Sequence, residues 1–257
     1  MVSADLDEGV APPSRRARVR AATSQEIIST ARGLLVTEGS AAISLRAIAR
    51  EMGMTAPALY RYFSSHEELI HHVVADIFTE LSDYVESAVA DAETVLARAG
   101  ESTAAPTDAT EIGLITACQA FRRWSVGHQA EFGMIFGTPL PGVDLYQEEP
   151  LLECGLRFGG IFLGLFVELW RIKPFDVPPD DEIQPSLVSQ LERYRVQLGT
   201  ELPLGVLQVF LRCWVSLYGT VALEVFGHLR FALDDATPMF ELMLSDLAGL
   251  LGLSYGI

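Results

Sequence analysis

The chain has 257 residues, a net charge of −16, and 49% hydrophobic against 20% charged residues. That composition excludes a disordered chain and suits one large or two small packed domains. Three widely spaced cysteines, Cys118, Cys154 and Cys213, make neither a disulfide framework nor a zinc site, so a reducing cytoplasm is the expected compartment.

No run reaches the roughly 18 consecutive apolar residues of a membrane span. The uncharged stretch Gly159–Val167 lies between Arg157 and Glu168 and reads as a buried helix. The acidic start, with Asp5, Asp7 and Glu8, is unlike a signal peptide. The charge is segregated. Residues 1–14 sum to −3, residues 15–72 carry eight arginines against five glutamates, and residues 73–257 hold ten bases against 26 acids. A small basic module joined to a large acidic one suggests that only one end meets a polyanion.

In chain order, residues 1–23 have little apolar content, and Pro12–Pro13 followed by RRARVR predicts a flexible basic arm. Arg15, Arg16, Arg18 and Arg20 on such an arm suit an adjacent DNA minor groove, with a solvated, non-contacting tail as the alternative. From Ser24 the period is helical: Ile27, Ala31, Leu34 and Leu35 share a face, and Gly39 ends the helix. Ser44 can cap a second helix whose inner face is Leu45, Ile48, Ala49 and Met52, with Gly53 as its stop. Thr55 can cap a third, short helix with Pro57 in its first turn and Leu59, Tyr62 and Phe63 inward. Further helices are predicted over 67–98, 110–129, 130–136, 150–172, 185–198, 203–230 and 237–252, broken at TPLPG (138–142), KPFDVPP (173–179) and LGTELP (198–203). No segment alternates long enough to demand a sheet, so the predicted class is all-α.

Helix, short helix, glycine turn, short helix is the helix-turn-helix plan, whose last helix enters the DNA major groove. Opposite its core face the third helix carries Thr55, Ala56, Pro57, Tyr60 and Arg61. Ala56 or Pro57 can touch thymine methyls, Tyr60 can donate to a phosphate, and Arg61 can reach phosphate or guanine. Ser44 and the helix behind it can bind a phosphate through an N–H.

The segment SLRAIAREMGMTAPALYRYFSSHEELI (44–70) closely resembles the DNA-binding domain of the TetR family of transcriptional regulators, through Ile48–Ala49, Gly53, Leu59–Tyr60, Phe63 and Glu67–Glu68–Leu69. Ile28, Ala31, Leu34 and Gly39 upstream also fit. The resemblance makes Arg46 a base or phosphate contact and brings Ala58 and Tyr62 into the DNA-binding set, Tyr62 despite its inward spacing. The family usually has a phosphate-gripping lysine where this chain has His66. A neutral histidine donates one hydrogen bond without the charge, and capping of the long helix is an equal alternative.

The segments 121–142 and 213–227 are similar to the sensor domain of a TetR subgroup named for a Trp-His-Gly motif, with Trp214 in place and Tyr218–Gly219 where that subgroup has His-Gly. The aromatic residues Phe121, Trp124, Phe158, Phe162, Phe166, Trp170, Trp214 and Tyr218 are candidates for the wall of a lipophilic effector cavity, with core packing as the alternative for any one of them. Glu168 and Glu224 interrupt apolar helices and could meet a cationic ligand, or instead Arg157, Arg171 or Arg212. The near-continuous apolar faces of 203–230 and 237–252 predict a dimer interface that includes Leu211, Leu217, Val221, Val225, Leu242, Met243, Leu247 and Leu250.

His71, His72 and Asp76 lack a third spaced partner for a metal, and no cofactor motif, nucleophile motif or catalytic carboxylate pair is present. The expectation is therefore a non-enzymatic, cytoplasmic, homodimeric regulator. Residues 1–23 are its arm, 24–72 the helix-turn-helix domain, and 73–257 the effector-binding and dimerisation domain. Its partners are a pseudo-palindromic double-stranded operator and a small lipophilic effector, with no membrane. The alternative is an all-helical protein-interaction scaffold.

Overall fold

The structure is a computed structural model that describes residues 14–98, 106–137, 149–253 and 255. The break expected at 138–142 lies outside them. Among the described residues there are ten α-helices and no strand, which is the all-α class expected. They fall into two compact units, one running to Asp76 and the other beginning at Ile77.

The first unit opens with α1 (Arg15–Glu38). The sequence reading placed its start nine residues later and treated 15–23 as part of a flexible arm; these residues are helical. Two causes act together. The Ser14 hydroxyl accepts a hydrogen bond from Ala17 N at 3.2 Å, and the arginines and alanines that follow are strong helix formers even without an apolar stripe. A 3₁₀ turn (Ser40–Ala42) leads to α2 (Leu45–Glu51) and α3 (Ala56–Leu59). The helix α4 (His66–Arg98) supplies this unit as far as Asp76. Ile27, Ala31, Ile48, Leu59, Leu69 and Val73 are wholly buried and form the core. At its edge Asp76 accepts from Arg32 at 2.9 Å and Gln25 at 2.7 Å, tying α4 to α1.

The second unit holds the rest of α4, then α5 (Pro106–Gly127), α6 (Gln129–Phe136), α7 (Glu149–Ile172), α8 (Pro185–Leu198), α9 (Leu204–Val225) and α10 (Thr237–Leu250). Here α5 packs on α7 and α9, while α9 also packs on α8 and α10. Ile183, Leu191, Leu204 and Leu207 form the buried contact between α8 and α9. By length and composition α9 is long and apolar enough to cross a membrane, with a mean hydropathy of 1.5 over its most apolar window. In this fold α5, α8 and α10 pack against it, while Val215 and Leu223 stay exposed.

One ion pair fastens three of these helices. The guanidinium of Arg122 on α5 donates to both carboxylate oxygens of Glu224 on α9, at 2.7 and 2.6 Å, and to the Thr237 hydroxyl at the start of α10, at 2.8 Å. It also lies 5.0 Å from the centre of the Phe240 ring. Glu224 is therefore spent on Arg122, a partner the sequence reading did not consider. Glu168 pairs with Arg171 one turn away on the surface of α7.

The start of α9 has no room to spare. A Cβ on Gly205 would sit 2.2 Å from the Pro178 carbonyl oxygen and 3.2 Å from Val177 Cβ, so backbone would have to move. Gly205→Ala should lower the unfolding free energy by about 1–3 kcal/mol, read as a lower urea midpoint at unchanged slope. An unaltered midpoint would mean that the 173–179 segment yields freely.

Candidate nucleic-acid interface

The helix-turn-helix is built around a turn that only one residue type adopts without strain. Gly53 has φ of +63°, in the left-handed region, and the following Met54 N–H bonds Ala49 O at 2.8 Å. Ser44 caps α2, its hydroxyl accepting from Ala47 N at 3.2 Å. Thr55 precedes α3 without a side-chain cap bond, and Pro57 sits in the first turn, where no N–H is missed.

Packing decides which side chains remain outside. Leu45, Ile48, Ala49, Leu59 and Phe63 are buried, and this pins the opposite face outward. Arg46, Thr55, Pro57, Tyr60, Arg61 and His66 are exposed, while Ser44, Ala56, Ala58 and Tyr62 are half-buried. No carboxylate occurs between Met52 and His66. Tyr62 is held from one side by Arg20 of α1, whose guanidinium lies 5.5 Å from its ring centre and donates to the Arg61 carbonyl at 2.8 Å.

His66 has a task of its own. Its Nε2 lies 2.9 Å from the carbonyl oxygen of Ile43, so in the neutral ring this nitrogen carries the proton and donates it there. The ring thereby ties the first residue of α4 to the strand of chain before α2, and only a doubly protonated ring would have a second N–H for a phosphate. Capping of α4 falls instead to its neighbours. The Ser65 hydroxyl accepts from Glu68 N at 3.0 Å, and the Glu68 carboxylate accepts from the Ser64 N–H and hydroxyl at 2.5 and 2.6 Å. The Ser-x-x-Glu spacing of 65–68 is a capping-box signature that the sequence reading passed over. These bonds hold the Glu68 carboxyl below its usual range, so the cap is complete above that range and is lost as pH falls through the lowered value.

The second unit contains an apolar cavity of about 40 Å³ between α5, α7, α9 and α10. Of the eight aromatic candidates, Phe162, Phe166 and Trp214 line it. Phe121, Phe158 and Tyr218 do not line it, because they are taken up in a ring cluster with Phe132 and Phe136 at centroid spacings of 5.0–6.4 Å. Trp124 stacks on His128 at 4.7 Å and donates to Glu80, and Trp170 packs against Phe175 at 4.9 Å. Phe210 also lines the cavity, and lining residues the sequence reading misses include Leu114, Cys118 and Cys213. The signal was available, since Leu114–Cys118 and Phe210–Trp214 each share a helix face at i, i+4. Burial pushes the Cys118 thiol up to about 12 and the Cys213 thiol up to about 11. Leu251 and Leu253 complete the wall beyond α10. The Tyr255 hydroxyl then donates to Glu241 on α10 and accepts from Gln119 on α5.

The apolar face expected to bind a second copy is also redistributed. Leu217, Val221 and Val225 are buried within the subunit, because α9 turns that side toward its own neighbours. Leu211 packs half-buried against the α8 contact, and Leu247 borders the cavity. Met243 and Leu250 are half-buried. The outward apolar side chains of α9 and α10 are Val215, Leu223, Met239 and Leu242, each between 44 and 67% exposed. Among the described residues no group of three metal-ligating side chains occurs, and Asp76 is engaged by Arg32 and Gln25.

Two family profiles match the chain. Residues 27–73 match bacterial regulatory proteins of the tetR family, and residues 114–247 match the tetracyclin repressor-like C-terminal domain. The HTH-type transcriptional regulators Mb1846 of Mycobacterium bovis and Rv1816 of Mycobacterium tuberculosis are each 30% identical over 220 residues, 83% of this chain and 85% of theirs. The crystal structure of a regulatory protein designated SCO4313 superposes with a TM-score of 0.68 at 26% identity, covering 92% of this chain and 100% of that one. A Rhodococcus protein of unknown function shares the fold at 15% identity, with a TM-score of 0.60 over 97% of this chain and 100% of its own. With both profiles and a relative spanning most of its length in agreement with the helix-turn-helix, the chain belongs to the TetR family of DNA-binding transcriptional regulators.

Proposed function

We propose that this regulator is a cytoplasmic homodimeric repressor that holds a pseudo-palindromic operator and releases it when a small lipophilic effector enters the second unit. The observation that carries the DNA part of this reading is the acid-free outward face of α3 and its turn, where Thr55, Pro57, Tyr60 and Arg61 stand exposed over a buried Leu59. Arg46 and the N-terminus of α2 behind Ser44 flank that face with further donors for backbone phosphates.

The effector part is supported by the lining of the cavity, which contains no charged side chain and whose only polar side-chain groups are two protonated thiols and the indole N–H of Trp214. At about 40 Å³ the cavity must widen to take a drug-sized molecule, which usually needs roughly 300 Å³ or more. The reading keeps the likeness to the Trp-His-Gly sensor subgroup. Trp214 and Tyr218 stack at 6.2 Å, and the Tyr218 hydroxyl donates to the Phe136 carbonyl at 2.8 Å, so a tyrosine serves where that subgroup has histidine.

The test begins with an operator selected from random duplexes. Tyr60→Phe and Arg61→Ala should each weaken binding with helix content unchanged, by about 1–3 kcal/mol where the contact is to a base. A phosphate contact would instead lower affinity evenly across sequences and reduce the salt slope by about one. Full affinity in both variants would remove this face from the DNA.

Dimerisation is checked separately. Leu242→Arg should give monomers by sedimentation and lose tight operator binding together, because two recognition helices need the roughly 34–36 Å spacing of one DNA turn. Leu217→Ala, at a position buried inside the subunit, should lower stability without changing the oligomer. A wild-type monomer that still binds a palindrome tightly would overturn the dimer.

A further inference from the structure

Arg15, Arg16, Val19, Arg20, Arg61 and Tyr62 line one open groove of about 560 Å³ in the first unit. Four of these six residues are arginines and none is acidic. All four arginines are exposed, so their mutual repulsion is left to solvent rather than offset by a carboxylate of the wall. The groove also holds the first turn of a 24-residue helix capped by Ser14, which adds positive potential from the helix dipole and has no acid to spend it on.

The arrangement is held in place. Arg20 is fixed by its bond to the Arg61 carbonyl and by the Tyr62 ring beneath it, which joins α1 to the turn that follows α3. A flexible arm would order such side chains only on binding, at an entropic cost. A capped helix presents Arg15 and Arg16 already in register with Arg61. Planar, permanently charged guanidinium groups converging on an open, acid-free space suit a tetrahedral oxyanion carried on a polymer.

We infer that this groove grips backbone phosphates of DNA beside the bases faced by α3, so that the N-terminal third of α1 is a rigid phosphate clamp rather than a minor-groove arm. The inference rests on the DNA-binding reading above. Arg61 belongs to both surfaces, and the groove extends the contact from the recognition turn onto the flanking backbone.

The experiment measures affinity for the selected operator and for an unrelated duplex against KCl concentration, using the full chain and an Arg15→Gln/Arg16→Gln variant. Glutamine keeps the helix propensity, which circular dichroism verifies. The slope of log affinity against log salt should fall by about 1.8, or about 0.9 per phosphate released, and equally on both duplexes. Phosphate-ethylation interference on the operator should show positions that block wild-type binding and no longer affect the variant. Inorganic phosphate at matched ionic strength should displace the DNA no better than chloride; stronger displacement would assign the groove to free phosphate and overturn the clamp. An unchanged slope with the same interference pattern would overturn it as well. Failure of the wild type to bind any selected duplex would bring down the DNA-binding reading itself, a result distinct from either.

Discussion

The second unit depends on one constraint: α9 has almost no polar face. Its polar side chains, Gln208, Arg212, Ser216, Thr220 and Glu224, recur every fourth residue. At about 100° per residue, a four-residue step overshoots one turn by about 40°, so the stripe sweeps about 160° around the helix from Gln208 to Glu224. It begins beside Leu187 of α8, where Gln208, Arg212 and Ser216 border an open groove, and it ends against α5 and α10, where Glu224 meets Arg122. The remaining directions are apolar and call for neighbours, which all but the side of Val215 and Leu223 find within the subunit. The placement of α5, α8 and α10 around α9 answers that requirement, and the Arg122–Glu224–Thr237 bridge fixes the register in which they do so. The cavity lies where α5, α7, α9 and α10 fail to close completely.

The ion pairs of this unit differ in what they contribute. Arg122 and Glu224 retain only 17 and 14% of their side-chain exposure and meet through two parallel hydrogen bonds. Losing one partner would strand a charge among apolar neighbours, at a cost of about 3–5 kcal/mol for a fully buried pair. Arg157 bridges Asp83 and Glu86 at 2.6 and 2.7 Å, yet its partners are 61 and 46% exposed. Water competes there, and exposed pairs contribute little. The first pair specifies the packing of helices; the second decorates a surface.

How much of this was legible in the sequence followed from which physical signal carried it. Helices with an apolar period, such as α4 and α10, were placed within two residues of their observed ends because burial enforces the period. The start of α1 was missed because its first turns bury nothing and are set by propensity and a serine cap, which leave no stripe to count. The inward and outward sides of α9 were partly exchanged: both sides are apolar, and composition cannot say which one faces a neighbour within the chain. The aromatic set leaves a cavity wall and core packing open residue by residue, and Phe121, Phe158 and Tyr218 take the second course, packed ring to ring with one another and with Phe132. On the DNA face the reading of Tyr60 and Arg61 as exposed rested on Leu59 and Phe63 being buried opposite them, and both are. His66 could not be resolved in advance, since its bond to Ile43 O joins residues 23 positions apart.

The thiols of the cavity wall define what kind of recognition that site can offer. Cys118 and Cys213 face it from α5 and α9, and burial raises both so far that neither ionises near neutral pH. A thiol in that state is a weak donor and otherwise behaves as a small, polarizable apolar group. The wall then offers a ligand no charge, and the Trp214 indole N–H is its one ordinary hydrogen-bonding side-chain group. Discrimination must come from the shape made by Phe162, Phe166, Phe210 and Trp214 and from dispersion contacts with them. A missing or extra methylene in such a site changes affinity by only about 1–3 kcal/mol, so the proposed effector would be any of a class of related apolar compounds rather than a single one. Gln119, beside Cys118 in the chain, and Glu241 are both engaged by the Tyr255 hydroxyl.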